Sequence, residues 1–296
     1  MTVDAAHVWE FEAIGTLWQV MTGRPVPGGV RRDVAELIEL FDRAWSRFRG
    51  DSLVTALARG AGSVPAPPDT AAMLALYVAA SEATEGAVNP LVGNALAERG
   101  YDAGYGFADA GAQPAPADWP ARLTWTPASL TLAAPATIDV GALGKGRLVD
   151  LVAGLIGDGV EGPVVVDGSG DIAVRGTTER IGLEHPYDAA RIIGVWAVAD
   201  AALCASAVTR RAWGDGLHHV LDARTGEPVR RIAATWAVAS TAMVADAVAT
   251  TLFFDGGPAF AHSQRAQWVR MFTDGRVEWS PGCTAEVFVR ADSVEA

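Results

Sequence analysis

Apolar side chains at Val34, Leu37, Ile38, Phe41, Trp45 and Phe48 recur at three- and four-residue spacing, which predicts an amphipathic helix closing near Gly50. The Pro-rich link from Val64 to Thr70 then leads into a second helix beginning near Ala71, with Asp69 or Thr70 as its N-cap. Gly, Pro and Asn punctuate Gly86 to Gly106, predicting an ordered loop with a short helix, and Phe107 to Pro120 reads as a surface excursion. Further on, a short strand at Ala136–Asp139 is expected to feed a Gly-rich turn and a helix whose apolar face is Leu148, Val149, Val152, Leu155 and Ile156. The β-rich runs 163–167, 172–175 and 180–184 alternate with turns as a meander does, and more strands are expected at 194–198, at 218–221 and near the C-terminus. Helices first, strands in runs and helices inserted between them make the fold class α+β rather than alternating α/β.

One segment tests that pattern. Ala233 to Phe254 carries a single charge over 22 residues, long enough for a membrane span. Its Ala and Thr content and its Thr-Trp-Ala-Val-Ala-Ser-Thr start favour instead a strand running into a buried helix, so no membrane span is expected. With half its residues apolar and ten Trp in 296 residues, the chain is globular and long enough for a sizeable core, read as one domain over 1–296. The net charge of −12 argues against a nucleic-acid partner or an anionic membrane surface. An anionic ligand would therefore need local help from a metal ion, a helix N-terminus or placed cations. Cys204 and Cys283 lie in strand-like stretches without a short spacing, and are read as core residues rather than a zinc site or disulfide framework. Met1 to Glu10 lacks a basic segment followed by an apolar core and any lipid-attachment cysteine, so the expected location is cytoplasmic.

Four segments could carry chemistry. In the buried helix, Asp246 and Thr250 are one turn apart, so their oxygens share a face where a hard cation could sit; from these two residues alone a capping role or an ion pair for Asp246 is the favoured reading, and the other segments shift the balance. The turn Asp139-Val140-Gly141-Ala142-Leu143-Gly144-Lys145-Gly146 puts three glycines and a cation at a helix start, where backbone could approach an anion such as a pyrophosphate. It is not a Walker loop, because the spacing before Gly144-Lys145 is wrong and Gly146 stands where Ser or Thr is needed. Asp167-Gly168-Ser169-Gly170-Asp171 is a hairpin turn or a second backbone wall against a ligand. His218-His219 followed by Asp222-Ala223-Arg224-Thr225-Gly226 sets a histidine on a strand, where His219 could be a general base or an orienting donor.

Together and in this order, these segments resemble the ApbE-like family of FAD:protein FMN transferases. Asp139 to Gly146 is similar to the family's Asp-Leu-Gly-Gly-Ile-Ala-Lys-Gly, Gly168 to Asp171 to its Gly-Gly-Asp turn, and Glu184-His185-Pro186 to the His-Pro that follows. His219 to Gly226 resembles His-Ile-Ile-Asp-Pro-Arg-Thr-Gly, and Ala242 to Thr250 resembles Ala-Met-x-Ala-Asp-Ala-x-x-Thr. Earlier, Ala13-Ile14-Gly15-Thr16, Ser46-Arg47-Phe48-Arg49 and Asn89-Pro90-Leu91-Val92-Gly93 match further segments, so the similarity spans about residues 11 to 256. Departures are Ala223 for the usual Pro, Ala207 where a Ser-Gly pair is common, and Asp167 and Ser169 in the glycine turn.

The resemblance implies a T-fold-like arrangement of mixed β-sheets with packed helices around a cleft for FAD. It implies Mg2+-dependent cleavage of the FAD pyrophosphate, transfer of FMN to a Thr or Ser of an acceptor flavoprotein, and release of AMP. On that footing Asp246, Thr250 and the carbonyl of Ala142 would hold the metal. Ile14, Phe48, Gly100, Tyr101, Asp139, Lys145, Ser169, Gly170 and Leu221 would contact FAD, and His219 would activate the acceptor hydroxyl as a base acting near neutral pH. Two alternatives share nearly the same residues: a pyrophosphatase giving FMN and AMP, and a flavin-binding protein without turnover.

Overall fold

The structure, a computed structural model, describes residues 7–288. The first six residues of the Met1–Glu10 stretch therefore lie outside it. The frame is an eight-stranded antiparallel sheet, ordered His7–Ala13, Thr16–Thr22, Val164–Asp167, Asp171–Arg175, Ala202–Ala207, Ile232–Ala239, Gln267–Phe272 and Val277–Trp279. Its centre is covered on both faces, which is why Val164-Val165-Val166 and Ile232–Ala239 are apolar runs rather than alternating ones. Val164 and Val166 face the helices Gly28–Trp45, Gly144–Gly159 and Ala242–Thr251, together with Trp18, Cys204 and Ala237. Val165 faces the other way, toward Leu203, Trp236 and the long hairpin of Thr178–His185 with Asp188–Ala199, which Glu286–Val287 extends.

The first helix and the strand-into-helix reading of 233–254 stand, and among the described residues no helix is long and apolar enough to cross a membrane. Of the three runs read as a meander, Val164–Asp167 pairs with Asp171–Arg175, but Thr178–His185 leaves for a second sheet with Asp188–Ala199. Several expectations are corrected. The first helix ends at Trp45, so Phe48 lies in the turn beyond it. The second, Thr70–Ala83, has no side-chain cap: Asp69 sits in left-handed backbone (φ +66°) and its carboxylate pairs with Arg147 at 2.8 Å, while the Thr70 hydroxyl donates to the Pro67 carbonyl.

Ala136–Asp139 joins no sheet, because its backbone bonds to loop 90–93 instead: Gly93 N–H donates to Thr137 O and Asp139 N–H to Pro90 O. The strand expected at 218–221 is two separate pairings, Leu217–His218 with Ala212–Trp213 and Leu221–Asp222 with Glu227–Pro228, leaving His219 in the link between them. Cys204 is a buried strand residue, but half-buried Cys283 lies in the turn after Val277–Trp279.

Candidate functional site

The turns at one end of the sheet, the N-terminal end of Gly144–Gly159 and the face of Ala242–Thr251 that bears Asp246 and Thr250 enclose a cavity of about 730 Å³. Ile14 and Gly15 form the two-residue turn between the first two strands, with φ of +44° and +74°, the pattern of a primed hairpin turn. A β-branched residue is rarely found there, so Ile14 is held in strained backbone at the cavity wall. Ser169 and Gly170 (φ +64° and +99°) make the corresponding turn after Val164–Asp167, where the Asp167 carboxylate accepts the Gly170 N–H at 2.8 Å.

Phe48, Tyr101, Tyr105 and Trp213 form an aromatic wall. Tyr105 stacks on Phe48 with ring planes 2° apart, and Tyr101 stacks on Trp213 at 5.4 Å. Gly100, expected as a flavin contact, does not line the cavity. At φ +92° it packs against the backbone of Phe107, where a Cβ would come within 2.6 Å, and so shapes the loop that presents Tyr101 and Tyr105. Leu221 is buried and lines the cavity, as do Ile14, Phe48, Tyr101, Asp139, Lys145, Ser169 and Gly170.

The Gly-rich turn is shaped by close contacts. None of Gly141, Gly144 and Gly146 has a positive φ; each is required by a close neighbour. Gly141 N–H donates to Asp139 Oδ1 at 2.7 Å. Gly146 touches the next helix, where a Cβ would lie 2.2 Å from the Ala242 carbonyl oxygen, and its N–H donates to Asp246 Oδ2 at 3.0 Å. The turn thus locks the helix bearing Lys145 against the helix bearing Asp246.

Asp246 and Asp171 are both buried. Loss of water, then their mutual repulsion, pushes the Asp246 carboxyl well above the usual carboxylate range. Desolvation likewise raises Asp171, whose carboxylate is faced by the Lys145 ammonium at 3.3 Å and by the Cys204 thiol. Lys145 also donates to the Ser169 carbonyl at 3.1 Å. Two buried carboxylates facing one ammonium leave a deficit of positive charge. Asp246, Thr250 and Ala142 line that part of the cavity, and the Ala142 N–H donates to Tyr77 Oη, which itself donates to the Asp139 carbonyl. Among the described residues no three His, Cys, Asp or Glu side chains cluster as a metal site, so a cation would rest on one carboxylate plus hydroxyl and carbonyl oxygens. That donor set fits a hard ion such as Mg2+.

His219 lines the cavity, and its Nδ1 is buried without a partner among the described residues. Burial first, then the nearby Arg211 guanidinium, lowers its pKa to about 3. The imidazole is therefore neutral at pH 7 and free to accept a proton, yet far less basic than the near-neutral base expected from the sequence.

Several residues at the site were passed over. Arg47 is buried beyond the first helix: its Nε donates to the Asp139 carboxylate, its Nη1 to the Tyr101 carbonyl at 2.8 Å, and its guanidinium lies 4.2 Å from the centre of the Phe48 ring. Both Asp139 oxygens are thus engaged within the protein. Arg47 stands in the Ser46-Arg47-Phe48-Arg49 segment, but a charged residue past an amphipathic helix reads as solvated. Tyr77 is hidden in a mostly apolar helix. Asp171 closes the turn likened above to the family's Gly-Gly-Asp but was given no role of its own, and Arg211 precedes a two-residue strand without a sequence signal.

The family model that matches this chain is that of the ApbE family, over residues 14–270. The chain belongs to the ApbE family. The ApbE protein of Thermotoga maritima superposes with a TM-score of 0.81 at 20% identity, covering 93% of this chain and 97% of its own. The apo flavinyl transferase ApbE of Pseudomonas stutzeri gives 0.77 at 18%, covering 94% of each chain. The flavin transferase ApbE of Vibrio cholerae gives 0.74 at 20%, covering 96% and 98%. At these identities the likeness establishes the ApbE fold, α+β as expected. No curated protein sequence matches the chain.

Proposed function

We propose that this ApbE-family protein is a Mg2+-dependent FAD:protein FMN transferase, which moves FMN from FAD to a Thr or Ser hydroxyl of an acceptor protein and releases AMP. The observation that carries this reading is the meeting, in one cavity, of an aromatic wall, a helix N-terminus bearing Lys145, an unpartnered imidazole nitrogen and an oxygen-lined pole around Asp246. Family membership and the structural likeness to two flavin transferases support it.

In the reaction the acceptor oxygen bonds to the FMN phosphorus, the bond from that phosphorus to the bridging oxygen breaks, and AMP departs with the electron pair. Asp246, Thr250 and the Ala142 carbonyl would hold Mg2+, which supplies positive charge where the pyrophosphate gains negative charge. Lys145 adds its ammonium from the helix start, held in place by Asp171 and the Ser169 carbonyl. The aromatic wall takes the flavin ring and excludes water from it. His219 orients the acceptor hydroxyl and receives its proton. The negative charge of a bound dinucleotide raises the basicity of the ring above its value in the free cavity.

The test is AMP release from FAD with Mg2+, with and without an acceptor polypeptide carrying an exposed Thr, beside an Asp246→Ala control. AMP that requires metal, disappears in the control and accompanies FMN covalently fixed to the acceptor is the expected result. AMP with only free FMN would replace transfer by hydrolysis, and tight FAD binding without AMP would leave a flavin-binding protein.

A further inference from the structure

Five cationic side chains line the cavity, and four are matched by carboxylates. Arg47 pairs with Asp139, Arg49 with Glu39, Asp42 and Asp51, Lys145 with Asp171, and Arg210 with Glu184. Arg211 is the exception: among the described residues it forms no ion pair, in a chain of net charge −12. Its Nη1 donates to the Tyr101 hydroxyl at 3.0 Å, so one of five N–H groups is used and by a neutral partner. Arg211 is solvent-exposed at the rim of the cavity, but it is held there. Its carbonyl accepts the His219 N–H at 3.2 Å, and the adjacent pairing of Ala212 with His218 fixes the backbone around it. The Tyr101 bond ties its head to a different part of the wall. Arg211 lines the same cavity as His219 and Asp246, and its charge is felt at both.

A fixed, unneutralised guanidinium fork at the edge of a cavity suits a phosphate oxygen, which can take two parallel N–H bonds. We propose that Arg211 is a phosphate-binding residue that holds a charged oxygen of the dinucleotide's pyrophosphate next to His219. The proposal rests on the flavin-nucleotide reading above. Losing a hydrogen bond to a charged group is expected to weaken binding by about 10- to 100-fold.

Flavin fluorescence titrations with FAD and with riboflavin, which has no phosphate, separate the cases. Arg211→Gln should weaken FAD binding by that factor and leave riboflavin within about two-fold, because only FAD carries the anion. Arg211→Lys should recover part of the loss, since it keeps the charge without the fork. FAD affinity should also fall less steeply with salt in Arg211→Gln than in the unaltered protein. Unchanged FAD binding by Arg211→Gln, or equal loss of both flavins, would overturn the proposal and leave the flavin reading intact. Unaltered protein that binds neither flavin would remove that reading, and the proposal with it.

Discussion

Replacing Gly146 by alanine places a methyl carbon 2.2 Å from the Ala242 carbonyl oxygen, 2.6 Å from its carbon and 2.7 Å from Asp246 Cβ. Two of those atoms are backbone and cannot rotate away. They also cannot slide, because Asp150 on the Lys145 helix accepts the N–H groups of Ala242 and Met243 at 2.8 and 2.9 Å, and the Cys204 thiol donates to the Ala242 carbonyl. Relief needs the two helices to part by roughly 1 Å, which stretches the Gly146 N–H bond to Asp246 beyond hydrogen-bonding distance. Overpacking costs about 1–3 kcal/mol, and a weakened bond to a buried carboxylate adds about 1 kcal/mol or more, so a loss of about 2–4 kcal/mol is expected. At ~2.1 cal/mol/K of unfolding entropy per residue, a chain of 296 residues loses Tm by ~1.6 °C per kcal/mol, or about 3–6 °C here. Calorimetry on Gly146→Ala beside Gly154→Ala, whose Cβ meets nothing within 4 Å on the same helix, isolates the contact from helix propensity. If Gly146→Ala melts with or above the Gly154→Ala protein, the helices are not locked at this point and the account of the turn is wrong.

Four further outcomes follow. Arg47→Gln leaves the Asp139 carboxylate without its buried partner and should cost about 3–5 kcal/mol by urea denaturation, an effect that 0.5 M salt does not reproduce in the unaltered protein because the pair is shielded from solvent. His219→Asn should slow FMN transfer while FAD affinity stays within about two-fold, since the ring's role is the acceptor proton. The same variant has a pH signature. The folded pKa of about 3 lies below the ordinary 6.5, so the unfolded chain takes up the proton first, and stability is present above pH 6.5 and lost as pH falls toward 3. Between pH 7.5 and 5.5 the unaltered protein should lose about 1 kcal/mol more than His219→Asn; equal losses would contradict the buried neutral ring. Finally, Mg2+ at about 100 times its Kd should stabilise the unaltered protein by about 2.7 kcal/mol, roughly 4 °C in Tm, and shift Asp246→Ala far less when each is compared with its own metal-free melt.

The sequence by itself determined the main helices, the central strands and most of the segments that line the cavity. Helical spacing at Val34 to Trp45, the unbroken Val164–Val166 run and the lone carboxylate in 233–254 are consequences of burial pattern, and burial pattern is local and periodic. The ordered segments around Asp139, Ser169, His219 and Asp246 could be read because each needs particular residue types at short spacing. Tertiary structure alone decided what those residues are paired with. Asp139 finds Arg47 across 92 residues, and Gly146 finds Asp246 across 100. Such partners leave no periodic trace, since a charge that is neutralised in space looks in sequence like one solvated at the surface. Gly100 was misread for the converse reason: its neighbour in sequence, Tyr101, faces the cavity, but left-handed backbone turns Gly100 against Phe107. His219 lost its ordinary basicity because burial and the Arg211 guanidinium act through space, on a ring whose sequence neighbours are a second histidine and a valine.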